Sequence, residues 1–190
     1  RVDWTVTRAG DPARFFEFLD QRTFGGMQIC DRDQDGLPVA VSRIARDPFD
    51  PLFDVDRFFE MLRKRSIEVK KGLLDQHLIS GIGNIYADEC LWRVGLDGRT
   101  PCNRLDRSTA MEIVTTVTRV MREAFDVGGT SFDALYVNVN GESGYFSRSL
   151  AVYGREGHPC DRCGDPITRS KFMNRSSFHC TTCQPPWSLP

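Results

Sequence analysis

Four cysteines arranged as two Cys-x-x-Cys pairs, Cys160/Cys163 and Cys180/Cys183, lie near the C-terminal end of the chain with sixteen residues between the pairs. Such spacing supplies the four thiolates that tetrahedral zinc accepts in structural sites. A closed set of four leaves no open position for substrate, so the metal would be structural. A rubredoxin-like iron site is the rival occupant. In so short a tail, metal binding would contribute most of the folding free energy, on the order of 10–16 kcal/mol in comparable zinc peptides. His158 and His179 flank the pairs and read as packing neighbours rather than ligands.

Arg169, Lys171 and Arg175 lie between the two pairs, and a clip that only staples a fold needs no cations there. Ile167–Met173 and Ser176–Cys180 can pair as strands, placing Asn174 and Arg175 at the turn. An arginine at a hairpin tip presents its planar fork outward, suited to bidentate contact with a phosphate. The competing account is a solvated surface arginine.

A second pattern, Ile79-Ser-Gly-Ile-Gly-Asn-Ile-Tyr86, separates two helical stretches. Gly81 and Gly83 let backbone N–H groups approach an anion, and the helix beginning near Asn84 adds its dipole. Asn84 can cap that helix or donate to a phosphate oxygen. Lys70 and Lys71 just upstream favour a nucleic-acid backbone over the rival, a plain helical hairpin with a glycine cap. A third pattern, Asp20-Gln-Arg-Thr-Phe-Gly-Gly26, places Arg22 and Phe24 two apart on a strand, facing the same way. The pair offers a cation and an aromatic wedge able to fill the space left by an extruded base. A core phenylalanine beside a surface arginine is the alternative.

The elements that must position these groups follow from periodicity. Val2–Val6 and Arg14–Asp20 read as strands separated by a turn at Ala9–Pro12, and Thr23–Cys30 as a possible third. Asp47-Pro-Phe-Asp-Pro-Leu52 is a stiff linker, because each proline biases its predecessor away from helix. Beyond it the apolar period changes to about 3.6. Asp54 is a candidate N-cap for a helix carrying Val55, Phe58, Phe59 and Leu62. Further helices are expected over about 67–79, 84–94 and 107–126. The last would carry Ala110, Val114, Val117, Met121 and Phe125 on one face and end at Gly128-Gly129. Residues 130–147 have no strong period and read as a long loop, of the kind that is often functional. The expected class is α+β. The expected divisions are 1–50, rich in strands, 51–150, helical with a long loop, and 151–190, a metal-clipped hairpin.

Composition sets the outer limits. The 190 residues carry a net charge of −1, with 40% hydrophobic and 27% charged residues, so total charge does not reveal the partner. Distribution does: basic residues cluster at 63–71 and 148–175. Seven cysteines is an odd number, and Cys30, Cys90 and Cys102 follow no pattern. That usage points to a reducing, cytoplasmic compartment and one metal site rather than a disulfide framework.

Taken together, these segments closely resemble the formamidopyrimidine-DNA glycosylase family of base-excision repair enzymes (the MutM and endonuclease VIII group). LLDQHLISGIGNIYADECLW is similar to its helix–two-turn–helix region, VYGREGHPCDRCG…CTTCQ to its zinc finger, and DQRTFGG to its void-filling loop. GGTSFDALYVNVNGESGYF is similar to the segment that closes over a flipped base. The resemblance implies that Asn84, with the Gly83 backbone, binds a phosphate beside the lesion and that Lys70 lies near it. It also implies that Arg175 grips lesion phosphates, that Arg22 and Phe24 enter the duplex, and that one Zn2+ stiffens the finger. One departure is Asn174-Arg-Ser-Ser-Phe-His-Cys180, where the family reads Gly-Arg-Gly-Thr-His-Phe-Cys.

The family's nucleophile is an N-terminal proline followed by glutamate, whose amine attacks the sugar of an oxidised purine nucleotide before elimination cuts the strand. The chain begins Arg1-Val2-Asp3 and contains no Pro-Glu pair. The expectation is therefore a monomeric piece of a bifunctional glycosylase and abasic-site lyase, without most of the N-terminal catalytic domain. It would bind duplex DNA holding an oxidised base or abasic site while lacking the nucleophile. Two alternatives stand beside it: a catalytically inactive paralogue that only binds damaged or nicked DNA, and a zinc-ribbon adaptor that binds protein.

Overall fold

The computed structural model describes residues 2–18, 25–129 and 149–188. It forms two compact units, Arg1–Ser42 and Arg43–Pro190. In the first, strands β1 (Val2–Val6) and β2 (Arg14–Phe18) pair antiparallel, with Asp3 opposite Glu17 and Val6 opposite Arg14. Trp4 and Phe16 stack across the ribbon with centroids 5.6 Å apart, the kind of cross-strand aromatic pair that holds a two-stranded ribbon in register. Residues 25–30, expected within a third strand, have no regular structure. Thr23 and Phe24 lie outside the described residues.

The second unit contains α1 (Val55–Arg63), α2 (Val69–Leu74), α3 (Asn84–Val94), α4 (Arg107–Asp126), and strands β3 (Thr168–Phe172) and β4 (Arg175–His179). The Pro48–Pro51 linker lies within the second unit. Backbone pairing laces the stretch before it to the α2–α3 turn: Ala45 N–H donates to Gln76 O and Ser80 N–H to Arg46 O.

Capping sets the helix limits. Asp54 accepts from the N–H groups of Asp56 and Arg57, each at 3.0 Å, and starts α1 as expected. Asp106 does the same for α4 through Thr109 N–H at 2.7 Å. α2 is much shorter than the expected 67–79. Asp75 leaves the helical conformation and turns its carboxylate onto His77 N–H and the Arg65 guanidinium. That local competition ends the helix before its apolar pattern does.

α4 has the expected limits but a rotated face. Ala110, Ile113, Val117, Val120 and Ala124 are buried, while Val114 and Met121 pack at the edge of the core. Phe125 is 80% exposed and lines an open groove with Phe49, Tyr86 and Met121. The packing of α4 against α3 selects this stripe rather than the one drawn through Phe125.

The core joins Leu62, Val69, Leu73, Ile79, Leu91, Ile113 and Val117. At its centre is α3, buried without a break from Ala87 to Trp92, including Asp88 and Glu89. No helix among the described residues is long and apolar enough to cross a membrane. Ile113→Ala should lower unfolding stability by about 2–5 kcal/mol, since it empties a fully buried side chain. A urea midpoint equal to the parent's would remove Ile113 from the core.

Candidate nucleic-acid interface and metal clip

Burying two adjacent carboxylates on α3 is costly unless each is fully paired, and their partners assemble the site. Glu89, 0% exposed, accepts from three consecutive N–H groups of Ala151, Val152 and Tyr153 at 2.9–3.0 Å. Asp88 accepts from Phe178 N–H at 2.9 Å and Ser177 Oγ–H at 3.0 Å, and lies 2.6 Å from Lys70 Nζ. The two residues tie α3 to the entrance of the C-terminal tail and to β4.

Lys70, expected near the phosphate cluster, is enclosed beside the hairpin. It is 1% exposed, paired with Asp88, and its ammonium sits 4.5 Å from the Phe172 ring centre. Burial pulls the Lys70 pKa down and pushes that of Asp88 up, and their mutual attraction opposes both shifts. Lys70 therefore supports the hairpin from beneath.

Two turns carry the chain from α2 to α3. The Gln76 side chain accepts from Gly81 N–H and donates to Ile82 O, closing the loop on itself. Gly81 has φ +82°, a left-handed conformation suited to glycine. Gly83, not Asn84, is the N-cap of α3 and offers no side-chain acceptor to the first-turn N–H groups. A Cβ built on Gly83 meets nothing within 4 Å, so the approach to these donors is open.

Asn84 is the first residue of α3. Its Nδ2 donates to Ser176 O at 2.9 Å and to Tyr153 OH at 3.4 Å, and its Oδ1 is enclosed without a partner among the described residues. The contact links the glycine turn to the hairpin one residue from Arg175. The register Phe172↔Arg175 leaves Met173 and Asn174 in the turn, with Met173 at φ 53°. Arg175 thus begins β4 rather than occupying the turn. Its side chain is exposed, and no described carboxylate lies within ion-pair distance. The turn N–H groups and the Arg175 guanidinium suit an anionic backbone, while Asn84 Nδ2 is directed at Ser176 O and Tyr153 OH and ties the two elements together.

The four cysteines converge, with every pair of sulfurs within 4.8 Å. Cys160 and Cys183 are 3.8 Å apart and Cys163 and Cys180 are 3.4 Å apart. Tetrahedral zinc with bonds of about 2.3 Å would set the sulfurs about 3.8 Å apart, so the cluster fits that ion. Burial works against thiolate at Cys160. The N–H groups of Arg162 and Cys163, the Trp92 indole and Cys180 outweigh it and bring Cys160 to about 6. Burial and the surrounding thiols push Cys183 up to about 12. One thiolate forms readily and the last resists, so a full set of four calls for a cation between them. His158 and His179 are not part of the cluster.

Several positioning residues escaped sequence reading: Asp88, Glu89, Trp92, Tyr153 and Arg162. Trp92 donates its indole N–H to Cys160 Sγ at 3.4 Å. Arg162 stacks on the Trp92 ring and donates to the Trp92 and Arg93 carbonyls at the end of α3. The available signal was two acids inside an otherwise apolar helix, Ala87-Asp-Glu-Cys-Leu-Trp92. Arg22, Phe24 and the 130–147 loop lie outside the described residues.

Two outcomes follow. Glu89→Ala leaves three buried N–H groups unpaired and should cost at least about 3 kcal/mol, read from urea unfolding; a loss below about 1 kcal/mol would contradict the assigned role. Chelating the metal should alter the emission of Trp92, followed in a variant whose other two tryptophans are phenylalanine. Emission indifferent to chelator would separate the clip from α3.

Residues 44–135 match the family described as formamidopyrimidine-DNA glycosylase H2TH domain. The chain is 57% identical over 169 residues to the formamidopyrimidine-DNA glycosylase of Streptomyces coelicolor, an alignment covering 89% of this chain and 59% of that protein. The crystal structure of MutM (Fpg) from Thermus thermophilus superposes with a TM-score of 0.71 at 37% identity, covering 75% of this chain and 54% of the other. The Lactococcus lactis Fpg, in complex with DNA containing an abasic site, superposes at 0.70 with 33% identity, covering 76% and 52%. The chain spans about 60% of the length of the curated relatives it matches. With its α+β architecture, paired turns between α2 and α3, and four-cysteine hairpin, the chain belongs to the formamidopyrimidine-DNA glycosylase family.

Proposed function

We propose that the chain holds the sugar–phosphate backbone of duplex DNA at a damaged nucleotide, as part of a bifunctional glycosylase and abasic-site lyase acting on oxidised purines. The observation that carries this reading is the contact between Asn84 and Ser176 O, which sets the open N-terminus of α3 beside Arg175. Neutralising adjacent phosphates from two elements favours a kinked backbone over a straight one, because the two donors converge on a short span. A relative crystallised with abasic-site DNA supports the choice of partner.

In this proposal Gly83 N–H and Asn84 hold one phosphate, Asn84 Nδ2 exchanging its long 3.4 Å contact with Tyr153 OH for a phosphate oxygen, and Arg175 takes its neighbour with a guanidinium fork. Arg22 and Phe24 enter the duplex, with Arg22 facing the partner base. Lys70 contributes through the hairpin rather than by contact. The clip holds one Zn2+, which the four-sulfur donor set favours over harder ions. Its part is stiffness, keeping Arg175 in place before DNA arrives. The part proposed for these 190 residues is DNA holding, with the amine nucleophile that the family resemblance implies not assigned among them.

Binding to a duplex with a single abasic site, measured by anisotropy across a salt series, tests the proposal. Asn84→Ala and Arg175→Ala should each weaken binding about tenfold or more, as expected for lost charge-assisted bonds. Borohydride should trap no covalent adduct. Unchanged affinity in both variants, with metal retained, would sink the phosphate-clamp assignment, and a trapped adduct would locate a nucleophile within these residues.

A further inference from the structure

The two cysteine knuckles of the clip are completed differently. In the first, the backbone closes on itself: Gly164 N–H donates to Cys160 O at 2.8 Å, and Cys160 N–H to Asp165 O at 2.7 Å. The second begins the same way, with Gln184 N–H on Cys180 O at 2.8 Å and Cys183 N–H 3.5 Å from Cys180 Sγ. Pro185 and Pro186 come next and bias the chain away from a returning turn. The Gln184 side chain takes the place of the returning carbonyl: its Oε1 accepts from Cys180 N–H at 3.1 Å.

The other end of the same amide leaves the clip. Gln184 Nε2 donates to Leu96 O at 2.9 Å, two residues past the end of α3. There the knuckle presses on the helix exit: a Cβ built on Gly95 would stand 3.2 Å from Cys183 O. Trp187 N–H donates to the Asp97 carboxylate at 2.9 Å, so the chain beyond the clip stays against the same turn. Gln184 is 2% exposed and Cys180 is fully buried. Removing the amide would therefore strand an enclosed N–H and an enclosed carbonyl. A buried amide satisfied at both ends specifies one arrangement of the groups it joins.

We propose that Gln184 is a positioning residue of the metal clip: it fixes the backbone of the ligand Cys180, ties that knuckle to the exit of α3, and so sets how tightly the metal is retained. It acts through Cys180 and is not itself a ligand. The first knuckle has its own tie to α3, through Arg162 and Trp92. With Gln184 holding the second, both halves of the thiolate set are referred to one helix end, and the sulfurs need little rearrangement to take up the ion. This role stands whether or not the chain holds DNA.

The test follows transfer of Zn2+ from the loaded 190-residue chain to a chromophoric chelator, and the ligand-field bands of the chain reloaded with Co2+. Gln184→Ala should weaken zinc retention about tenfold or more, the usual effect of losing a hydrogen-bond partner behind a ligand, and should shift the cobalt bands. Gln184→Met keeps the length of the side chain without its polar ends and should behave like the alanine variant. Ile113→Ala, which loosens the core away from the clip, should leave both readouts at the parent's values. Parental retention in Gln184→Met would make the residue a packing filler and overturn the proposal. Equal zinc loss in Ile113→Ala would do the same, by tracing the effect to general loosening. If the Gln184 variants bind no metal while their helical circular dichroism is intact, the proposal is upheld; if helices and metal are lost together, Gln184 serves folding and the assignment fails.

Discussion

Two neighbouring carboxylates on α3 impose the arrangement of the second unit. Asp88 and Glu89 are carried into a helix that is apolar on both sides of them, and both are shut away from solvent. Each must find donors from the protein or forfeit several kcal/mol. Glu89 finds them in three successive backbone amides, which forces the 151–153 segment to run against the helix. Asp88 finds them in β4 and in Lys70. The requirement to satisfy two buried charges thus determines where the tail lies.

From that mount the hairpin is held at three levels. The cysteine cluster grips its base. Asp88 takes hold of the middle of β4 while Lys70 packs under Phe172. Asn84 secures Ser176, next to the tip. A two-stranded ribbon alone is marginal in water, so these anchors make its tip a defined point rather than a fluctuating one. An arginine presented from such a point loses little freedom on meeting a phosphate, and the interaction is correspondingly stronger.

The electrostatics follow the same plan. With a net charge of −1 the chain has no global attraction for polyanions. Several cations in its basic segments are neutralised within the fold: Lys70 by Asp88, Lys71 by Glu68, Arg65 by Asp75 and Arg155 by Asp161. Arg175 remains unpaired among the described residues. Local geometry, more than total charge, gives the surface its sign.

Much of this was legible in the sequence because it depends on neighbours along the chain. The limits of α3 and α4 follow from apolar period and glycine breaks, the Asp54 cap from one side chain and the amides just after it, and the metal clip from two Cys-x-x-Cys pairs. Where a side chain competes with the helix, as Asp75 does, the same local pattern overruns the true end. What tertiary structure alone decided are the partners separated by dozens of residues: Glu89 with Ala151–Tyr153, Asp88 with Phe178, Asn84 with Ser176, and the stripe of α4 that faces α3. It also paired the buried ammonium of Lys70, which stands in a basic stretch of sequence, with Asp88. The physical reason is that a charge states its need for a partner locally, while burial and packing, which set which partner is reached, are properties of the whole unit.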